Sequence, residues 1–191
     1  KIDFITCSAH KFHGPKGVGF VYVKSGTNLL PLIEGGSQER GFRGGTESIH
    51  NIVGLKAAFQ SSYDFLEKDS KKVFKIKEHF INSIQKSIPN IKINGCYSKN
   101  DSSYAILNIC LPISVEKKTL LNFKLDLAGI ACSGGSACQS GSSKPSHVLS
   151  EILSSADMKN ISIRFSFSKF NSIEEVDYVV DFLKKFVSEN N

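Results

Sequence analysis

The chain has 191 residues, with 24 Lys+Arg against 18 Asp+Glu and a formal net charge of +6. Hydrophobic residues at 40% and aromatics at 10% suffice for an ordinary core and exclude a disordered or fibrous protein. No apolar run approaches the roughly 20 residues of a membrane-spanning helix and no signal peptide opens the chain, so a cytoplasmic protein without a membrane partner is expected.

In chain order, the first segment is rich in glycine: ten of the 15 glycines lie between Gly14 and Gly54. It reads as short strands at Ile2–Thr6 and Gly17–Val23, followed by a loop through Gly35, Gly36, Gly44 and Gly45. A helix is expected after Thr46, capped by its hydroxyl, running through Ile49, Ile52 and Val53 to about Lys68. Val73, Ile76, Phe80 and Ile84 then recur at helical spacing with lysines between them. Strands are expected at Ile91–Ile93 and Ala105–Leu111, then a helix over Val115–Leu127. A small-residue loop, Cys132–Lys144, leads to Pro145, suited to the first turn of a short helix ending near Ser154. Ser162–Ser166 alternates as a strand. The last helix starts with a capping box, Ser172 and Glu175, and carries a stripe at Ile173, Val176, Val180, Leu183 and Val187. The break in composition near residue 63 predicts two domains, 1–62 and 63–191, with a long helix crossing between them. Because Ile2–Thr6 already reads as the middle of a folded domain, a partial chain is expected.

Only Arg40, Arg43 and Arg164 are arginines; the lysines scatter over polar helix faces. Nucleic-acid binding would need that charge gathered into one stripe, so no nucleic-acid partner is expected. The five cysteines form no CxxC pair, which argues against a disulfide framework and a metal site. Cys7, Cys96 and Cys110 fit the buried, inert default for cysteine.

Four constellations could carry chemistry. In Ser8-Ala9-His10-Lys11, followed by Phe12-His13-Gly14-Pro15, a lysine sits just beyond a strand, between a histidine and a tight turn. A Schiff-base lysine needs such a fixed position, and Ser8 and His10 could donate to a phosphate; a solvated lysine on a glycine-rich turn is an equal alternative. Arg40 and Arg43 before Gly44-Gly45-Thr46 could form an anion site at a helix start, or simply a cap with two surface arginines. Cys138 lies among Ser, Gly, Ala and Gln, a setting for an exposed thiol able to act as a soft nucleophile, whereas Cys132 at the strand-like end of that loop suits a structural role. Arg164, within an apolar strand, is costly unless paired with a carboxylate, either of the protein or of a ligand.

Taken together, SAHKFHGPKGVGF, ERGFRGGTES, GGSACQSGSSKPSHVL and ISIRFSFSKFNSIEEVDY resemble the NifS/IscS type of cysteine desulfurase. These are pyridoxal 5'-phosphate (PLP) enzymes of the class V aminotransferase superfamily with fold type I. The resemblance implies an α/β fold: the end of a PLP-binding large domain over 1–62, and a small α+β domain carrying the catalytic-cysteine loop over 63–191. It implies PLP on Lys11, phosphate contacts from Ser8 and His10, and Thr46 reaching the cofactor phosphate of a neighbouring subunit in a homodimer. Arg164 would clamp the carboxylate of L-cysteine. Cys138 would take the substrate sulfur as a persulfide, leaving L-alanine, for delivery to a sulfur-acceptor or scaffold protein in iron–sulfur cluster assembly or in tRNA or cofactor thiolation. Ser146 and His147 would anchor the loop. The resemblance covers only the second half of such enzymes, so the chain alone is expected to bind PLP poorly and to turn over little. A selenocysteine lyase, another class V aminotransferase, or a non-catalytic module that binds a sulfur acceptor remain as alternatives.

Overall fold

The computed structural model describes residues 1–134 and 146–190, and the chain divides into two units, Lys1–Leu66 and Glu67–Asn191. In the first, the β-branched and aromatic runs FITCS and GFVYV form strands β1 (Phe4–Ser8) and β2 (Gly19–Val23). They pair antiparallel, Phe4 opposite Val23 and Ser8 opposite Gly19, and a 3-10 turn over Ala9–Phe12 lies between them. Helix α1 (Ile49–Asp64) follows the glycine-rich loop.

The expected single helix from Thr46 to Lys68 is corrected at both ends. Ser48, not Thr46, precedes the first helical turn, because Gly45 at φ 113° still belongs to the turn before it. Helix α1 ends at Asp64, and Phe65, at φ −105° and ψ 9°, leaves helical geometry before α2 (Leu66–Ser87) begins. The run Ser61-Ser62-Tyr63-Asp64 consists of mediocre helix formers, which favours a break there.

Among the hydrophobic residues of the first unit, only Ala9 is fully buried, and large side chains such as Leu30 and Leu32 are 82% and 95% exposed. A two-stranded hairpin with one helix has too little surface to bury such residues on both faces.

The second unit is a helix-on-sheet layer pair. Strand β3 (Lys92–Ile93) pairs antiparallel with β4 (Ile106–Ser114). Helix α3 (Lys118–Leu127), the short α4 (His147–Ile152), β5 (Asn160–Ser166) and α5 (Ile173–Asn190) complete the chain. The sheet order is β3-β4-β5, all antiparallel. One sheet face presents Leu107, Ile109, Leu111, Ile161, Ile163 and Phe165 to the core. The stripes of α2 (Ile76, Phe80, Ile84) and α5 (Val176, Val180, Leu183) meet them there, and Leu121 and Leu125 of α3 join the same cluster. The register of β4 against β5 shifts between Leu111 and Ser114, an interval that contains Pro112, which has no N–H to give to the ladder. The expected capping box opens α5: Glu175 accepts from the Ser172 N–H at 3.1 Å, and Ser172 Oγ accepts from the Glu175 N–H at 3.3 Å.

Among the described residues, one charged side chain is fully buried. Lys77 on α2 is 0% exposed, its Nζ donating to Ser102 Oγ and to the Ser103 carbonyl, each at 2.8 Å. The two bonds take two of the three ammonium protons and hold the 102–103 loop to the helix, while burial pushes the amine below its ordinary pKa of 10.5. Lys77→Ala should lower unfolding free energy by about 2–3 kcal/mol, and Lys77→Met, which keeps the stem, by about 1 kcal/mol. In the pH window between the lowered value and the ordinary one, the unfolded chain binds more protons than the folded one, so stability should rise with pH there. Denaturant titrations across that window should show the rise in the parent chain and lose it in Lys77→Met.

Candidate active site

The residues singled out in the sequence fall into two groups, one in each unit. In the first unit, strand β1 delivers Ser8 to the 3-10 turn that carries His10 and Lys11. Ala9 fixes this turn from behind: its N–H donates to the Val18 carbonyl at 3.0 Å, its carbonyl accepts from the Gly14 N–H at 2.8 Å, and its methyl is fully buried. His13, in the left-handed region at φ 67°, closes the turn. Ser8, His10 and Lys11 are all exposed around the buried Ala9, so two potential anion donors and one primary amine share one braced turn.

Helix α1 supports that turn through close contacts. Phe59 meets Phe12 edge-on at 6.0 Å between ring centroids, and Ser62 Oγ donates to the Phe12 carbonyl at 3.3 Å. Gly14 and Gly54 set the approach. A methyl group on Gly54 would lie 2.6 Å from Pro15 Cγ, and one on Gly14 would lie 2.9 Å from the Ala9 methyl. Thr46 is exposed in the segment before α1 and does not cap that helix. Arg43 turns back on its own loop, its Nη1 donating to the Gly44 carbonyl at 2.6 Å, and Arg40 sits exposed in left-handed backbone.

In the second unit, Arg164 lies on the sheet face opposite the core. Its Nε is buried and has no hydrogen-bond partner among the described residues, and no carboxylate among them forms an ion pair with it. The protein-carboxylate alternative for Arg164 is therefore not met there. The main chain of Arg164 is fully used: its N–H donates to the Ser133 carbonyl at 2.7 Å and its carbonyl accepts from the Ser133 N–H at 3.1 Å. One residue on, the Gly134 carbonyl accepts from Lys118 Nζ at 2.8 Å. The stem leading into residues 135–145 is thus pinned to the strand that bears the arginine.

Cys138, the candidate nucleophile, lies outside the described residues, as does Pro145. Ser146 caps α4, its Oγ accepting from the Leu149 N–H at 3.4 Å; the helix itself starts at His147. Cys132 is half-buried against the core, and burial pushes its thiol up, as it does for buried Cys110. The expectation that Cys96 is buried is corrected: it is exposed, following the turn at Gly95 (φ 79°) that carries the chain off the sheet. No group of residues with metal-ligand chemistry occurs among the described residues. No helix among them is long and apolar enough to cross a membrane.

Asn94, Asn108 and Lys118 were not singled out by the sequence. The signal for Asn108 was present: like Arg164, it is a polar residue inside an otherwise apolar strand.

The family model described as aminotransferase class-V matches residues 1–179. Among curated proteins, cysteine desulfurase IscS of Dictyoglomus turgidum is 35% identical over 188 residues, 98% of this chain and 47% of that protein. Cysteine desulfurase IscS of Clostridium botulinum (strain Hall) is 39% identical over 188 residues, again 98% of this chain and 47% of that protein. The chain spans about half the length of the curated relatives it matches. Among solved structures, a NifS-like protein superposes with a TM-score of 0.81 at 32% identity, covering 98% of this chain and 47% of that one. A NifS-like protein from Rickettsia africae gives 0.79 at 27% identity, covering 98% of this chain and 48% of that one. These neighbours fix the fold class as the mixed α/β architecture of NifS-like enzymes.

Alanine is favoured over glycine inside a helix by about 1 kcal/mol. At Gly54 the contact with the rigid Pro15 ring should reverse that sign, so Gly54→Ala should lower the thermal midpoint of the protein. Gly54→Ala combined with Pro15→Ala, which removes the obstructing ring, should recover it in the same melting experiment.

Proposed function

Because this chain belongs to the aminotransferase class-V family, we propose that the protein carrying it is a PLP-dependent cysteine desulfurase. Four motifs in register with NifS/IscS enzymes and relatives named cysteine desulfurase IscS across 98% of the chain support this reading. The observation that carries it is the buried Arg164 Nε, which has no partner among the described residues and lies on a strand bonded to the stem of the Cys138 segment.

Residues 1–62 are proposed to be the end of the PLP-binding domain, and residues 63–191 the small domain. The exposed Ser8, His10 and Lys11 suit a phosphate-bearing aldehyde: donors for the anion, and one amine on a braced turn. Lys11 would hold PLP covalently and move a proton at the substrate carbon through its Nζ. Ser8 and His10 would bind the phosphate, and Thr46 the phosphate held by a partner subunit, which makes the working unit a homodimer. When bound, PLP supplies an electron sink for the carbon framework of the substrate.

Arg164 would orient L-cysteine by its carboxylate, a bidentate pairing that a guanidinium makes well. The Cys138 thiolate would attack the substrate sulfur: an S–S bond forms, the substrate C–S bond breaks, and the carbon left behind takes up a proton to give L-alanine. The persulfide on Cys138 would pass to a sulfur-acceptor protein in the cytoplasm, for iron–sulfur cluster assembly or thiolation. The braced Lys11 turn and the pinned loop stem match these roles, since the amine must stay in place while the thiol must reach the substrate and then its acceptor.

In the protein that carries this chain, Cys138→Ser should cut sulfide release from L-cysteine by about a hundredfold or more while substrate still binds. Sulfide release at the parent rate would remove Cys138 from this role. Lys11→Ala should abolish the visible absorbance of protein-bound PLP, and persistence of that absorbance would assign the cofactor to another lysine.

A further inference from the structure

Four residues lie in one row across the sheet of the second unit. The β3–β4 register, Lys92 opposite Cys110 and Ile93 opposite Ile109, continues to Asn94 opposite Asn108, where the Asn94 N–H donates to the Asn108 carbonyl at 2.9 Å. Asn108 is opposite Arg164, and Arg164 is bridged to Ser133. Directly opposed residues share a face, so Asn94, Asn108, Arg164 and Ser133 all stand on the side away from the apolar core. Both main-chain groups of Arg164 point to Ser133, so Asn108 and Arg164 form the non-hydrogen-bonded kind of antiparallel pair, with Cα atoms about 4.5 Å apart and side chains at their closest.

The side chains give this row a polarity. Asn94 Nδ2 donates to Asn108 Oδ1 at 2.8 Å and to Ser162 Oγ at 3.0 Å. The carbonyl oxygen of Asn108 is thereby occupied by Asn94, leaving the NH2 of Asn108 without an acceptor among the described residues. Beside it stands Arg164, whose buried Nε likewise has no acceptor among those residues. Two neighbouring side chains thus offer only N–H groups, which suits an anion that accepts on two oxygens.

We propose that Asn108 is a second binding residue for the substrate α-carboxylate, donating through Nδ2 beside the Arg164 guanidinium, and that Asn94 is the positioning residue that fixes the Asn108 amide. The proposal rests on the reading of Arg164 as the carboxylate clamp. A second N–H donor fixed to the sheet beside the guanidinium adds to ground-state binding of the carboxylate, so its loss should appear in KM and Kd.

The test uses the PLP-loaded enzyme and two probes: L-cysteine turnover, and calorimetric binding of 3-mercaptopropionate, which has the carboxylate and thiol but no amine. Asn108→Ala should raise KM for L-cysteine and Kd for 3-mercaptopropionate about tenfold, with kcat changed less than about twofold. Asn108→Asp keeps the shape but sets a carboxylate beside Arg164, and should raise both constants about a hundredfold with no loss in thermal midpoint. Asn94→Ala should give a smaller rise in the same two constants, through the freed amide. If Asn108→Asp leaves KM and Kd within about twofold of the parent while Arg164→Ala raises both, the role of Asn108 is overturned and the clamp stands. If Arg164→Ala also leaves both unchanged, the carboxylate reading of this face fails with it. Should Asn108→Ala fail to fold, the isosteric Asn108→Asp and the Asn94→Ala variant decide the matter by the same two constants.

Discussion

The register between β4 and β5 is the constraint on which the second unit depends. Side chains alternate with a period of two, so a slip of one residue would exchange the faces of an entire strand. It would either turn Ile109 out of the core and drive Asn108 into it, or turn Ile163 out and drive Arg164 in. An unpaired guanidinium in an apolar interior costs several kcal/mol, and the lost burial of each isoleucine adds about 2 kcal/mol. The core that α2, α3 and α5 build on one face therefore also determines which residues stand on the other. Core packing and the polar face are two sides of one pairing.

The main chain extends that logic. Arg164 spends both its backbone groups on Ser133, and Lys118 takes the next carbonyl, so the chain enters residues 135–145 from a fixed point on the sheet. On the far side, Ser146 holds the start of α4. The first unit is held differently. It has almost no core, and the turn bearing His10 and Lys11 is held through the buried Ala9 and by α1 approaching across two glycines. A short 3-10 turn so anchored leaves little slack in the backbone that carries His10 and Lys11.

Much of this architecture was legible in the residues. The helical stripes of α2 and α5, the capping box at Ser172 and Glu175, and the strands β1, β2, β4 and β5 follow from periodicity and from local hydrogen-bond chemistry, which act over a few residues. The expectations that failed turned on something other than local pattern. The break at Phe65 divides what hydrophobic spacing reads as one helix. Residue type places Cys96 in the interior, yet a turn at Gly95 sets it in solvent. Lys77 carried no sequence mark of burial, because its solution depends on Ser102 and Ser103 arriving from a loop 25 residues away.

The amino-acid order alone determined most of the elements, the candidate residues Lys11, Cys138 and Arg164, and the family resemblance, since each is encoded in short runs whose spacing survives without coordinates. Tertiary structure decided which polar residues became neighbours: Asn94, Asn108, Arg164 and Ser133 come from four separate segments and form one row only after the strands pair. It decided too that Arg164 keeps a buried nitrogen without a partner among the described residues. Cross-strand proximity depends on register, and register is a property of the assembled sheet, set by the core that all its strands share.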